Sequence, residues 1–258
     1  MKALVLAAGR GERLRPLTDT TPKPMLELGG RPLIHYVLAM LRRAGIVEAA
    51  INLHHLGDRI ATALGDGAAL GLRIIYAPEP KLLGTAGPLP GLARFFGKEP
   101  FMMLNSDTIM DLDLGRMYEF HREHQALATF ALRRVAHPEH YSQIDIAYDG
   151  RLSEMRLLID RPQGRFDVYR APNAPPPGAS RSLMFCGVTI CSPEVLSIQL
   201  PPPPSSLMSD LFAPALRAGA PLFGFAYDGY FRTVDDLAAW EALKEEFATR
   251  PPRLSYLD

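Results

Sequence analysis

The sequence predicts an α/β protein: a mostly parallel sheet covered by helices, extended by antiparallel strands. Three observations point there. Short apolar runs alternate with amphipathic runs through the first half of the 258 residues, and the first apolar run ends in a glycine-bearing segment. After Asp107 that alternation gives way to strands joined by tight turns.

Lys2–Ala8 reads as the first strand, and Gly9-Arg-Gly11 opens the way into a helix. From Arg31, the residues Leu33, Ile34, Val37, Leu38 and Leu41 recur at helical spacing, with Pro32 suited to the first turn and Gly45 to the stop. Ala49–Leu53, Leu72–Ala77 and Phe101–Asn105 read as further strands, separated by helices over His55–Leu64 and Ala86–Phe95. Beyond Asp107, Leu114–His124 is helical in spacing. Ala128–Val135, Gln143–Tyr148 and Leu152–Leu158 read as strands linked by turns such as Tyr148-Asp-Gly150. Asp160–Ser180 is rich in Pro, Gly and Arg and reads as a loop near the mouth of a binding site, and Pro201–Pro204 as a second spacer. Ser206–Ala218 and Asp236–Thr249 are amphipathic helices with Ser and Asp caps, flanking a strand over Pro221–Tyr227. Pro251–Asp258 is a tail without readable chemistry. The expected organisation is one domain over 1–250, with parts at 1–135, 136–235 and a C-terminal helix at 236–250, then the tail 251–258.

Composition narrows the function. The 28 basic and 28 acidic side chains cancel, so no overall field draws the chain onto nucleic acid or an anionic membrane, and any anion must be caught locally. At this length, 47% hydrophobic residues supply a core without metal or disulfide staples. Cys186 and Cys191 lie in one apolar run at an odd spacing, which sends them to opposite faces of a strand as core thiols. Arg10, Glu12, Arg13 and Arg15 follow Met1–Gly9 at once and leave no signal-peptide core, and no run reaches the roughly eighteen apolar residues of a membrane span. A cytoplasmic protein is expected.

The segment Leu6-Ala-Ala-Gly9-Arg-Gly11-Glu-Arg13 sets two glycines and small residues at the end of a strand, where backbone N–H groups can converge on phosphate oxygens. Arg13 adds a forked, permanent cation. A dinucleotide fingerprint would need a third glycine where Leu14 stands, and no Gly-Lys-Ser/Thr ending marks a P-loop. In Thr21-Pro22-Lys23-Pro24 two prolines stiffen the backbone around a lysine, lowering the entropy cost of holding its ammonium in place. Asp107 closes the run Phe101–Asn105 at the strand end where open α/β sheets bind ligands. The pairs His121/His124 and His137/His140 have metal-compatible spacing but no completing ligand and read as ordinary histidines; Met102 and Met103 read as core.

Together, Leu6–Thr18 and Thr21–Pro24 resemble the signature of the sugar nucleotidyltransferases. Leu83-Gly84-Thr85-Ala86-Gly87-Pro88-Leu89, Leu104-Asn-Ser-Asp107 and Phe120-His-Arg-Glu-His124 are similar to the mannose-1-phosphate guanylyltransferase branch. The resemblance covers about the first 135 residues. It implies a doubly wound, Rossmann-like, three-layer α/β/α fold, with 1–135 binding nucleotide and an antiparallel extension over 136–235 binding sugar. It further implies that a sugar-1-phosphate attacks a nucleoside triphosphate and displaces pyrophosphate with no protein nucleophile, and that Mg²⁺ is the cofactor. Carried over by position, Lys23 contacts the transferring phosphate and Arg13 the departing ones. Gly9 and Gly11 supply backbone donors, and Leu6, Ala8, Thr85 and Gly87 shape the base pocket. Asp107 is a Mg²⁺ ligand. A second family aspartate aligns with Thr233, and a related arrangement offers Asp235 instead. The sugar side corresponds to Asp160-Arg161-Pro162 and to Phe185-Cys186-Gly187, giving Asp160, Arg161 and Gly187 as sugar-side residues. Phe185 cannot hydrogen-bond a hydroxyl, which leaves open two alternatives: a non-catalytic nucleotide-sugar-binding regulator, and an acceptor phosphate that is not a sugar. GTP, UTP and dTTP all remain open as donors, as does the oligomeric state.

Overall fold

The computed structural model describes residues 1–160, 164–176 and 180–257. The chain opens with β1 (Lys2–Leu6), a 3-10 turn at Glu12–Leu14, α1 (Leu17–Thr20) and a second 3-10 turn at Lys23–Met25. A small hairpin, β2 (Glu27–Leu28) and β3 (Arg31–Pro32), leads into α2 (Leu33–Arg43), followed by β4 (Glu48–Leu53), α3 (Gly57–Leu64) and β5 (Arg73–Pro78). Next come α4 (Leu89–Phe96), β6 (Phe101–Asn105), β7 (Thr108–Met110), α5 (Leu114–Glu123) and β8 (Ala128–Arg133). The second half holds β9 (Gln143–Ile146), β10 (Leu152–Asp160), β11 (Arg165–Arg170) and β12 (Arg181–Cys191). A π-helical segment at Leu207–Phe212 continues into α6 (Ala213–Arg217), and the chain closes with β13 (Leu222–Ala226), β14 (Phe231–Thr233) and α7 (Leu237–Thr249).

Among the described residues ten strands form one sheet, whose main path runs β11-β10-β9-β12-β6-β1-β4-β5, with β8 pairing β12 and β13. The block β6-β1-β4-β5 is parallel, and β9 to β12 add antiparallel pairs. From β1 the chain moves outward through β4 and β5, then returns to the other side of β1 as β6. That reversal makes the C-terminal ends of β1 and β6 the switch point at which such sheets open a crevice.

Strand periodicity splits the core into two. Ala3, Val5, Ala49, Ile51, Met102 and Leu104 pack with α2 on one face, while Leu4, Ala50, Phe101 and Met103 pack with α4 and α6 on the other. This is the expected three-layer arrangement. Cys186 joins the first cluster and Cys191 the second, as their spacing requires. Both thiols are free and buried, and burial pushes Cys186 up to about 12 and Cys191 likewise upward. Strand β12 serves β6, β8 and β9 by bending at Gly187, where φ is +78° and a Cβ would stand 2.7 Å from the Asn105 amide nitrogen.

Several expectations are corrected. The segment 160–180 is not wholly a loop: β11 pairs antiparallel with β10 at the sheet edge, away from the main cavity. Helix α4 starts at Leu89, not Ala86: residues 84–88 form turns, with the Ala86 N–H bonded to the Ser205 carbonyl at 2.9 Å. Strand β1 stops at Leu6 because the Ala7 N–H turns to the Asn52 side chain at 2.7 Å. The tail is structural: Leu254 and Tyr256 are buried, and Ser255 donates its hydroxyl to Asp111 Oδ1 at 2.6 Å. The caps hold, with the Ser206 hydroxyl accepting from Met208 N and the Asp236 carboxylate from Ala239 N.

Candidate active site

The loop after β1 is shaped from within. Gly11 has φ +64°, and its carbonyl accepts from Leu14 N and the Thr18 hydroxyl, each at 2.9 Å. Leu14 is buried and anchors the 3-10 turn, which leaves its neighbour Arg13 half exposed at the crevice. His55 at the end of β4 braces the next turn through Nε2 to the Thr18 carbonyl at 2.8 Å. Lys23 starts its own 3-10 turn between extended Pro22 and buried Pro24, as the flanking prolines predict.

Asp107 lies in the turn between β6 and β7. Next to it, the Ser106 hydroxyl donates to the Leu6 carbonyl at 2.6 Å, tying the β6 end to the β1 end. The Lys23 ammonium forms a short ion pair with Asp107 Oδ2. Strand β14 pairs with β7, setting Thr233 opposite Thr108, and the next residue, buried Val234, donates its N–H to the Asp107 carbonyl at 3.2 Å. Asp235 therefore follows just past the strand, not within it, and Arg13 Nη2 reaches its Oδ1 at 3.4 Å. Asp236, one residue on, is spent on capping α7.

These groups wall a cavity of about 850 Å³ at the switch point. Leu6, Ala8, Gly9, Gly11 and Thr85 line it, with Arg13, Lys23, Asp107 and Asp235. Thr233 does not; it lines two smaller adjoining hollows of about 420 and 290 Å³, the second of which shares Asp235 with the main cavity. Gly87 is not on the wall either: a Cβ there would stand 2.2 Å from the Leu83 carbonyl, so it serves loop packing. The Thr85 hydroxyl is turned aside to accept from Leu207 N at 2.8 Å. Gly187 sits one strand away, against Asn105, which does line the cavity. Arg161 and the side chain of Asp160 lie outside the described residues.

Asn52, Glu79 and Pro204 line the cavity from outside the quoted motifs. Asn52 and Glu79 are buried polar residues in parallel strands or just beyond them, a signal that needs the strand register to be seen. Pro204 belongs to the proline spacer, which is pinned beside the 83–86 loop by Ser205 N to the Leu83 carbonyl at 2.8 Å.

The histidines take ordinary roles. His121 is buried between the Thr129 and Ser192 hydroxyls at 2.9 and 3.1 Å, and burial lowers its pKa to about 4. His124 stacks on Phe120 with 4.0 Å between centroids. His54 Nδ1 meets the Glu79 carbonyl at 2.8 Å.

The donor set fits a hard divalent cation: two carboxylates from different elements, tied together through Val234, face one cavity beside two cations. Chemically, the site can neutralise clustered negative charge on one molecule and hold it against a strand end.

The family model described as "Nucleotidyl transferase" matches residues 2–163, and the chain belongs to that family. Among curated relatives, N-acetylmuramate alpha-1-phosphate uridylyltransferase of Neisseria meningitidis serogroup B is 49% identical over 120 residues, 46% of this chain and 52% of that protein. Mannose-1-phosphate guanyltransferase of Aspergillus fumigatus is 32% identical over 91% of this chain and 60% of its own length. The chain thus spans between about half and three fifths of these relatives. The fold is shared with UDP-glucose pyrophosphorylase from Acinetobacter baumanii at TM-score 0.73 and 19% identity, over 98% of this chain and 95% of that one.

Proposed function

We propose that this chain transfers a nucleotidyl group from a nucleoside triphosphate to a sugar-1-phosphate, releasing pyrophosphate. The observation that carries the reading is the crossed pairing in the cavity: Lys23 on Asp107 and Arg13 on Asp235. A magnesium–triphosphate complex matches both halves of that set, since its phosphate oxygens suit the two cations and its metal suits the two carboxylates. Mg²⁺, held by Asp107 and Asp235, would supply neutralisation of charge on the phosphate oxygens.

In the reaction a phosphate oxygen of the acceptor forms a bond to the α-phosphorus and the bond from that phosphorus to the bridging oxygen breaks. The electron pair leaves with pyrophosphate. The attacking oxygen is already anionic, so no protein base is needed. Lys23 holds the transferring phosphate, Arg13 the departing ones, and Gly9 and Gly11 keep backbone close to them. The hollow beyond Asp235 and Thr233 leaves room for the acceptor. The relatives' names make UTP and GTP the first donors to test, with mannose-1-phosphate and N-acetylmuramate 1-phosphate as first acceptors. Mg²⁺ dependence and a cytoplasmic setting belong to the same reading.

The test is pyrophosphate release with Mg²⁺ across a matrix of UTP, GTP and dTTP against sugar-1-phosphates and non-sugar acceptor phosphates. At least one sugar-1-phosphate pairing turns over many times, and Lys23→Ala lowers it at least tenfold. Nucleotide-sugar binding with no turnover anywhere would favour a regulatory role instead.

A further inference from the structure

We infer that buried Asn52 and Glu79 form a positioning relay that sets the gap between the two loops of the nucleotide cavity, Ala7–Gly11 and Leu82–Thr85. The inference rests on the nucleotide-binding reading above. Both residues are almost fully buried, at 2% and 5% exposure, and both border the cavity.

The links run in a fixed polarity. The Ala7 N–H donates to Asn52 Oδ1 at 2.7 Å, Asn52 Nδ2 donates to Glu79 Oε1 at 2.8 Å, and the Leu83 N–H donates to Glu79 Oε2 at 2.9 Å. Each loop thus offers a backbone donor, so the two side chains between them must present an acceptor at each end and one donor in the middle. An amide followed by a carboxylate meets that demand. The backbone beneath is rigid: β4 and β5 pair in parallel, the Glu79 N–H donates to the Leu53 carbonyl at 2.7 Å, and the Glu79 carbonyl meets His54.

A carboxylate buried with no ion pair recorded among the described residues is costly to keep, and an apolar filler would cost the fold less. Its two oxygens each accept one of these bonds within the wall, which ties Glu79 to both loops. One loop carries Gly9 and Gly11 and leads into Arg13, the other carries Gly84 and Thr85, so a change in their separation misplaces the triphosphate against its base pocket.

The polarity can be tested by swapping it. Asn52→Asp places two carboxylates face to face, and Glu79→Gln forces a donor against Asn52 Nδ2 or the Leu83 N–H. The double variant N52D/E79Q restores every link, with Asp accepting from Ala7 and from Gln, and Gln accepting from Leu83. Calorimetry on the full chain, with UTP and GTP as probes, gives nucleotide Kd, and thermal unfolding reports the fold. Each single swap weakens the wild-type nucleotide at least tenfold with the sugar-1-phosphate KM unchanged, and the double swap returns to within threefold of wild type. Wild-type affinity in both singles, or a double swap that recovers Tm without affinity, overturns the relay. Should a single variant not fold, N52A/E79A replaces it: equal affinity in that variant and the double swap overturns the relay. Failure of the wild type to bind either nucleotide overturns the functional reading itself, and the relay with it.

Discussion

Gly9 and Gly11 stand in one loop and are glycines for different reasons. At Gly11 the backbone is left-handed and a Cβ would lie 2.8 Å from Thr18 Cγ2, so both conformation and space exclude a side chain. At Gly9 a Cβ meets nothing within 4 Å, and the space it would enter belongs to the cavity. Gly11→Ala therefore destabilises the fold by about 1–2 kcal/mol and weakens nucleotide binding as well. Adding Thr18→Ser removes Cγ2 and recovers part of that loss. Gly9→Ala changes stability by no more than a surface substitution does, about 0.5 kcal/mol, but weakens nucleotide binding at least fivefold. Paired melting and calorimetry on the three variants check this, and a stable Gly11→Ala would show that the loop is not built as described. At this scale the sequence was legible where function is local. Arg13, Lys23 and the glycines sit within one short segment whose chemistry is readable without a fold. Asn52 and Glu79 are 27 positions apart, and only the β4–β5 register reveals that they touch. The partner of the Thr85 hydroxyl is hidden for the same reason, since Leu207 is 122 positions away.

Between residue and molecule, the junction of β14 and α7 decides which acid faces the cavity. Strand pairing with β7 ends at Thr233, Val234 buries its side chain and donates to the Asp107 carbonyl, and Asp235 turns to Arg13 while Asp236 caps the helix. Neighbouring aspartates thus carry separable duties. Asp235→Ala should lower turnover at least tenfold and raise the Mg²⁺ concentration for half-maximal rate, leaving Tm nearly unchanged. Asp236→Ala should cost about 1 kcal/mol of stability through the lost cap and hold kcat/KM within about twofold. Thr233→Ala should leave the Mg²⁺ requirement unaltered. A Mg²⁺ titration of each variant settles the assignment, and a Thr233→Ala phenotype matching Asp235→Ala would reverse it. Helix α2 was readable because one of its faces is continuously apolar, and β6 because its short run is apolar on both faces. Strand β11 was not: its residues alternate weakly in burial and are rich in Arg and Asp, so composition spoke for a loop while pairing with β10 made a strand.

For the molecule as a whole, the question is whether the two cores on either side of the sheet open together. They share every central strand, since β1, β4 and β6 send alternate residues to each. The tail adds a further tie, because Ser255 on Asp111 fastens the chain's end beside β7. Loss of one core strips one face of the same strands, so the sheet should unfold as a unit. Cys186 and Cys191 report on this from opposite faces, both buried and both held as neutral thiols by desolvation. A thiol reagent added to the native protein should modify both at one shared, slow rate set by global opening. Nucleotide at about 100 times its Kd should slow both by about a hundredfold, because ligand bound only to the folded state lowers the open population in that proportion. Single variants Cys186→Ser and Cys191→Ser assign each rate. A fast thiol beside a slow one would mean that one face of the sheet opens alone, and equal rates unaffected by nucleotide would mean that the cavity does not bind it.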